Sequence, residues 1–239
     1  MSSTPNHSHP GSVRRRFIVG GVASATSALL IAVVSIGLAS AASAASDSVA
    51  RPVDPGYVAL HRTAATAGFL AYGLMVGTVC WGMLTTTHLA RRGIRRQTLY
   101  GGHMTMAVMT LSFMFVHIAA NVFSPRTGLS VLNALFPFFP GSTLGISMGV
   151  IGGELSLAIA VSVWFQRRLG YRVWHRLHWF AYPAYGLALG HTVVSGSDVR
   201  PQLIATALTA SFLAVVALFV LRALPTTSLV RNRLAPLES

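Results

Sequence analysis

The chain has 239 residues, 53% of them hydrophobic and only 10% charged, against about a quarter charged in an ordinary soluble domain. Its formal net charge of +13 comes from eighteen arginines set against five acids. These figures exclude a water-soluble globular enzyme, and the single cysteine, Cys80, excludes both an intrachain disulfide and a cysteine-held zinc or iron–sulfur centre.

Scanned in windows of about 19 residues, the sequence gives six apolar runs, each long enough to cross roughly 30 Å of hydrocarbon. They lie near 17–41, 64–86, 103–122, 143–165, 177–195 and 202–221. Residues 1–16 read as a disordered cytoplasmic amino terminus, with His7 and His9 as weak metal binders at most. The first run follows Arg14, Arg15 and Arg16 and precedes ASAASAASDS, which also fits a twin-arginine signal with a small-residue cleavage site. Its length favours a retained, signal-like anchor, and cleavage would leave five spans.

The outer connection 42–63 carries Asp47, Pro52, Asp54 and Pro55. Cys80, inside the second run, is expected as a small packing residue. The outer connection 123–142, FSPRTGLSVLNALFPFFPGS, is apolar enough to lie at the interface, with a short helix expected near 129–136 before Pro137 and Pro140 break it. In the fourth run Gly145, Gly149 and Gly153 recur every four residues, and in the fifth Gly186 and Gly190 do the same. Such spacing lets a neighbouring helix approach the backbone closely; beside His191 it equally leaves room for a flat ligand. Residues 17–222 form the expected six-span domain, and 223–239 a short cytoplasmic tail.

Arginines mark alternate connections. Fourteen of the eighteen precede the first run, follow the sixth, or lie between the second and third or the fourth and fifth; only Arg51, Arg62, Arg126 and Arg200 fall on the other side. By the positive-inside rule both termini are cytoplasmic in a multi-pass protein of the plasma membrane. The basic charge therefore reads as topology and contact with anionic lipid, not as a nucleic-acid surface.

Two runs carry a histidine at each end: HMTMAVMTLSFMFVH, 103–117, and HWFAYPAYGLALGH, 178–191. His103 and His117 are 14 residues apart, about 21 Å along a helix and within 40° of a common face. His178 and His191 are 13 apart, about 19.5 Å, and about 140° off a common face on a straight helix, so Pro183 is expected to kink or re-register the segment between them. Both runs cross in the same direction, so His103 and His178 share one depth near the arginine-rich side and His117 and His191 share another. Imidazole alone, with no cysteine or acid nearby except Glu154, suits haem iron better than zinc or copper, which usually recruit carboxylates, thiolates or water. The expected cofactors are two bis-histidine haems, with His103/His178 as inner and His117/His191 as outer axial ligands.

The run WHRLHWFAY at 174–182, followed by His191, resembles the tryptophan–leucine–histidine–tyrosine–histidine signature of the ferric reductase-like transmembrane domain family. That superfamily includes NADPH oxidases, ferric reductases and the haem-bearing membrane subunit of the bacterial methionine sulfoxide reductase system. The 14 and 13 spacings resemble its dihaem members, and the stretch covering roughly 60–222 looks most like stand-alone actinobacterial ones. The resemblance implies an all-α, six-helix membrane bundle enclosing two stacked b-type haems, acting as the membrane haem subunit of an oxidoreductase. Electrons would pass from a separate cytoplasmic flavoprotein or membrane quinol to an extracytoplasmic acceptor such as ferric iron, quinone, oxygen or a partner redox protein. Unlike in oxidases, no FAD- and NADPH-binding domain is expected after the sixth run.

Other residues carry weaker expectations. Glu154 is the only acid inside a run, where a charge costs at least about 2.5 kcal/mol, so it is expected protonated, paired, or active in proton or quinone chemistry. His175 rivals His178 as a ligand but matches the outer pair's depth less well; it and His88 read as interfacial. His61 and Arg62 read as topology residues, or as contacts for a haem propionate or an anionic iron chelate. Met104, Met106, Met109 and Met114 are expected to pack against haem or helix, and Trp174 and Tyr182 to sit at the interface or a haem edge. The competing function is a haem-free transporter or proton relay that titrates Glu154 and the same histidines.

Overall fold

The computed structural model describes residues 55–86, 94–124, 127–196 and 202–223. The first expected span, the amino-terminal segment, His88 and residues 224–239 lie outside them. The described residues are helical, with no strand: α1 (Pro55–Thr86), α2 (Arg96–Val122), α3 (Val131–Leu135), α4 (Leu144–Leu169), α5 (Tyr171–His178), α6 (Ala181–Ser195) and α7 (Gln202–Ala223). Helices are the expected solution for such apolar segments, because in lipid each backbone N–H and C=O must find its partner within the segment.

Four of these helices, α1, α2, α4 and α7, are long and apolar enough to cross a membrane. Two of them start earlier than their apolar runs suggested. α1 begins at Pro55, nine residues into the expected outer loop, because proline is pre-organised for a first helical turn, where its missing N–H costs nothing. α2 begins at Arg96, so Arg96, Gln97 and Thr98 precede the buried Leu99 in its first turns.

The fifth run is not one span-length helix but two short ones, α5 and α6. At the break the Trp179 and Phe180 amides turn back to the carbonyls of Arg176 and Leu177 at 3.1 and 3.0 Å. Pro183 has no N–H for the Trp179 carbonyl, which instead accepts from the Tyr182 amide at 3.1 Å. The chain thus re-registers one turn before the proline, and α6 restarts with Pro183 in its first turn, where it is tolerated. Upstream, α4 ends at Gly170, whose φ of 73° lies in the left-handed region that a side chain would disfavour. The short helix expected near 129–136 forms over Val131–Leu135: Ser130 and Asn133 cap it reciprocally, and it ends before Pro137.

The helices pack as two antiparallel pairs, α1 with α2 and α4 with α6, with α7 laid against α1. The main core lies between α1, α6 and α7, built from Tyr72, Val76, Cys80 and Met83, Tyr185, and Ile204, Leu208 and Val215. Cys80 is 1% exposed, a packing residue as expected. Without a hydrophobic drive between helices in lipid, close packing and interhelical hydrogen bonds hold such a bundle. Among the described residues these include Tyr72 Oη with Ser211 Oγ at 2.6 Å, joining α1 to α7, and Trp81 Nε1 donating to the Leu99 carbonyl at 2.8 Å, joining α1 to α2. Alternating helix direction gathers Arg95, Arg96, Arg167, Arg168, Arg172, Arg176 and Arg222 at one end of the bundle.

Candidate histidine site

α2 is unbroken from His103 to His117, so the two rings stay on nearly one face, and the break before α6 removes the misfit between His178 and His191. The consequence is two ring pairs from different elements. His103 of α2 faces His178 of α5 with ring centroids 6.0 Å apart and planes at 67°. His117 of α2 faces His191 of α6 at 6.1 Å and 79°. The first pair lies toward the arginine-rich end and the second toward the opposite end, in the pairing expected from sequence.

Three of the four rings are oriented by one repeated device. His117 Nδ1 lies 2.8 Å from the Ala64 carbonyl, His103 Nδ1 3.1 Å from that of Thr78, and His191 Nδ1 2.8 Å from that of Gly145. A carbonyl only accepts, so in each ring Nδ1 carries the proton and Nε2 keeps the free lone pair. Each acceptor lies four residues before a glycine: Ala64 before Gly68, Thr78 before Gly82, Gly145 before Gly149. A Cβ on those glycines would stand 2.7 Å from His117 Nδ1, 3.0 Å from His103 Cε1 and 2.8 Å from His191 Nδ1. The glycines are therefore notches that let an imidazole reach the backbone of the neighbouring helix.

His178 differs. Its Nδ1 is buried with no hydrogen-bond partner, and its ring is stacked on Trp174 at 5.1 Å and 27°.

These residues can be tested against a group held between two imidazoles. A ligating nitrogen sits about 2.0–2.1 Å from its metal and the ring centroid roughly 1.1 Å behind it, so trans imidazoles have centroids roughly 6 Å apart. Both pairs meet that spacing. Ligating histidines also donate their other N–H to a carbonyl or carboxylate, as three of these do. Moreover α2 and α6 are not packed backbone to backbone; the histidine rings are what reach between them. Among the described residues no three His, Cys, Asp or Glu side chains cluster as a metal-ion site, so the histidines meet only in pairs. The donor set fits bis-imidazole iron.

Other expected residues fall elsewhere. His175 packs between Tyr171 and Trp179, not against His103. His61 lies against Tyr57 with ring centroids 5.9 Å apart and planes tilted by 42°, and Arg62 is exposed. Glu154 is exposed on α4, five residues and so about 140° round the helix from the Gly149 notch; a proton relay through the histidines therefore has no acid beside them among the described residues. Met114 lies against Gly153, whereas Met104 and Met109 are 48% and 43% exposed and face outward. Tyr182 packs on Trp179 and Phe219 and accepts from Arg222 at 2.8 Å. In the fifth run, a Cβ on Gly186 would meet nothing within 4 Å, and one on Gly190 would meet Met148.

The α1 notches, Gly68 and Gly82, escape sequence reasoning centred on the histidines. Their signal is nevertheless present: they are 14 residues apart, the spacing of His103 and His117 on the antiparallel partner. Comparison of the chain with family models, curated proteins and solved structures gives no match.

Proposed function

We propose that the protein is a transmembrane electron carrier, in which His103 with His178 and His117 with His191 hold two b-type haems. The observation that carries this reading is the pair of imidazole pairs at haem-compatible spacing, with Nδ1 committed to backbone carbonyls in three of four rings. When bound, the haems supply one-electron ferric–ferrous chemistry. The chain's own part is to present one imidazole from each side of each site, three of the four fixed through a glycine notch with Nε2 left free. Iron held by two imidazoles would have no position open to oxygen, which favours electron transfer over oxygen activation. Six spans in the plasma membrane, with cytoplasmic termini, complete the reading, supported by the four span-length helices and the gathering of arginines at one end.

In this reading the donor is a cytoplasmic flavoprotein or a membrane quinol, working at the arginine-rich end, and the acceptor lies outside: ferric iron, quinone, oxygen or a partner redox protein. The protein would serve as the membrane haem subunit of a ferric reductase-like oxidoreductase. The test uses sealed vesicles containing the purified protein, dithionite trapped inside and a ferric chelate outside. Reduction of the external chelate that is lost in His103→Ala and His117→Ala is the expected result. Reduction no faster than in protein-free vesicles would refute the reading.

A further inference from the structure

The two histidine pairs are not equivalent. His117 and His191 each give Nδ1–H to a backbone carbonyl at 2.8 Å. In the other pair His103 makes a longer bond, 3.1 Å, and His178 makes none, its Nδ1 being buried and unpartnered. His178 is not among the rings that meet the notches of Gly68, Gly82 and Gly149. Its ring is held by stacking on Trp174, whose own Nε1 is likewise buried without a partner and, as an indole N–H, is a donor only.

A carbonyl that accepts from Nδ1–H draws the proton away and makes Nε2 a stronger electron donor. A stronger axial donor favours ferric over ferrous iron and lowers the reduction potential. Charge acts in the same sense. The Arg222 guanidinium is fixed beside the His178 segment, donating to Tyr182 at 2.8 Å and standing 5.5 Å from the Trp179 ring, and Arg176 is two residues away. Positive charge nearby favours the state with the added electron.

We infer that, given the haem reading above, the site of His103 and His178 has the higher reduction potential of the two, so that a single electron entering the protein settles at the arginine-rich end. Passing it outward to His117 and His191 is then uphill, and the acceptor must draw it across. Trp174 is the positioning residue that leaves His178 without a clamp.

The test is a mediated redox titration of the purified, haem-loaded protein, following the visible bands through successive one-electron ferric-to-ferrous reductions. Trp174→Gln puts a side-chain carbonyl four residues before His178 on the same helical face, within reach of its Nδ1; Trp174→Phe keeps the stacking ring and adds no acceptor. Two waves are expected in the wild type. In Trp174→Gln the higher wave should move down and the lower stay put, while Trp174→Phe should move neither. A shift of the lower wave, or no shift in Trp174→Gln, would overturn the inference while leaving the haem reading intact. Protein that takes up no haem would overturn that reading and this inference with it.

Discussion

Replacing Gly149 by alanine isolates the notch from the ligand it serves. The new Cβ would lie 2.8 Å from His191 Nδ1 and 3.0 Å from both Cε1 and Cγ, where ordinary contact begins at 3.4 Å. The imidazole must therefore retreat by the difference, 0.6 Å. A retreat of that size opens the 2.8 Å bond to the Gly145 carbonyl to the edge of hydrogen bonding. Losing one such bond costs about 0.5–1.5 kcal/mol, and removing the outer partner of a metal-ligating histidine typically lowers affinity about 10–100-fold. Since Gly149 lies in a helix interior, alanine also gains about 1 kcal/mol of helix propensity, so the fold should survive. The assay is haem titration into the apo-protein with haem and chain quantified together. Gly149→Ala is expected to bind one haem normally and the second about 10–100-fold more weakly. Gly186→Ala, whose Cβ meets nothing within 4 Å, should match the wild type. Two haems bound by Gly149→Ala with wild-type affinity would refute the notch argument.

Three further outcomes follow from the same geometry. His117→Ala should retain one haem per chain, and retention of two, by pyridine haemochrome assay, would sink the assignment of that pair. Tyr72→Phe removes the 2.6 Å bond to Ser211 that joins α1 to α7; buried membrane hydrogen bonds are worth about 0.6 kcal/mol on average and about 1.7 at most. It should lower resistance to detergent unfolding within that range and leave haem content unchanged. Glu154→Gln should leave both haem content and transvesicle reduction unchanged, because Glu154 is exposed and round the helix from the notch; loss of transfer in that variant would revive a proton-coupled role.

Much of the site was legible because it follows from helix periodicity. The 14-residue spacing of His103 and His117 fixes a shared face, and the arginines fix which ends lie together, so the matching of depths follows, while the facing of His178 and His191 depends on the break near Pro183. The re-registering at Pro183 was legible in kind but not in place: a missing N–H predicts a break, while the carbonyl it orphans, Trp179, sets where the chain turns. The fifth run therefore divides into α5 and α6, which hydropathy averaged over a window cannot reveal. Gly149 was legible as a small residue but its purpose was not, since a glycine that admits a helix and one that admits an imidazole look alike in sequence. Met104 and Met109 mislead for a related reason: apolar side chains that face lipid and those that face a core carry the same hydropathy.

The most direct test of the central claim is a reduced-minus-oxidised visible spectrum of the detergent-purified wild-type protein, with haem and chain quantified in the same sample. Two low-spin b-type haems per chain are predicted, matching two bis-imidazole pairs. Colourless protein from haem-replete cells would contradict the account and leave four histidines held in pairs for another purpose.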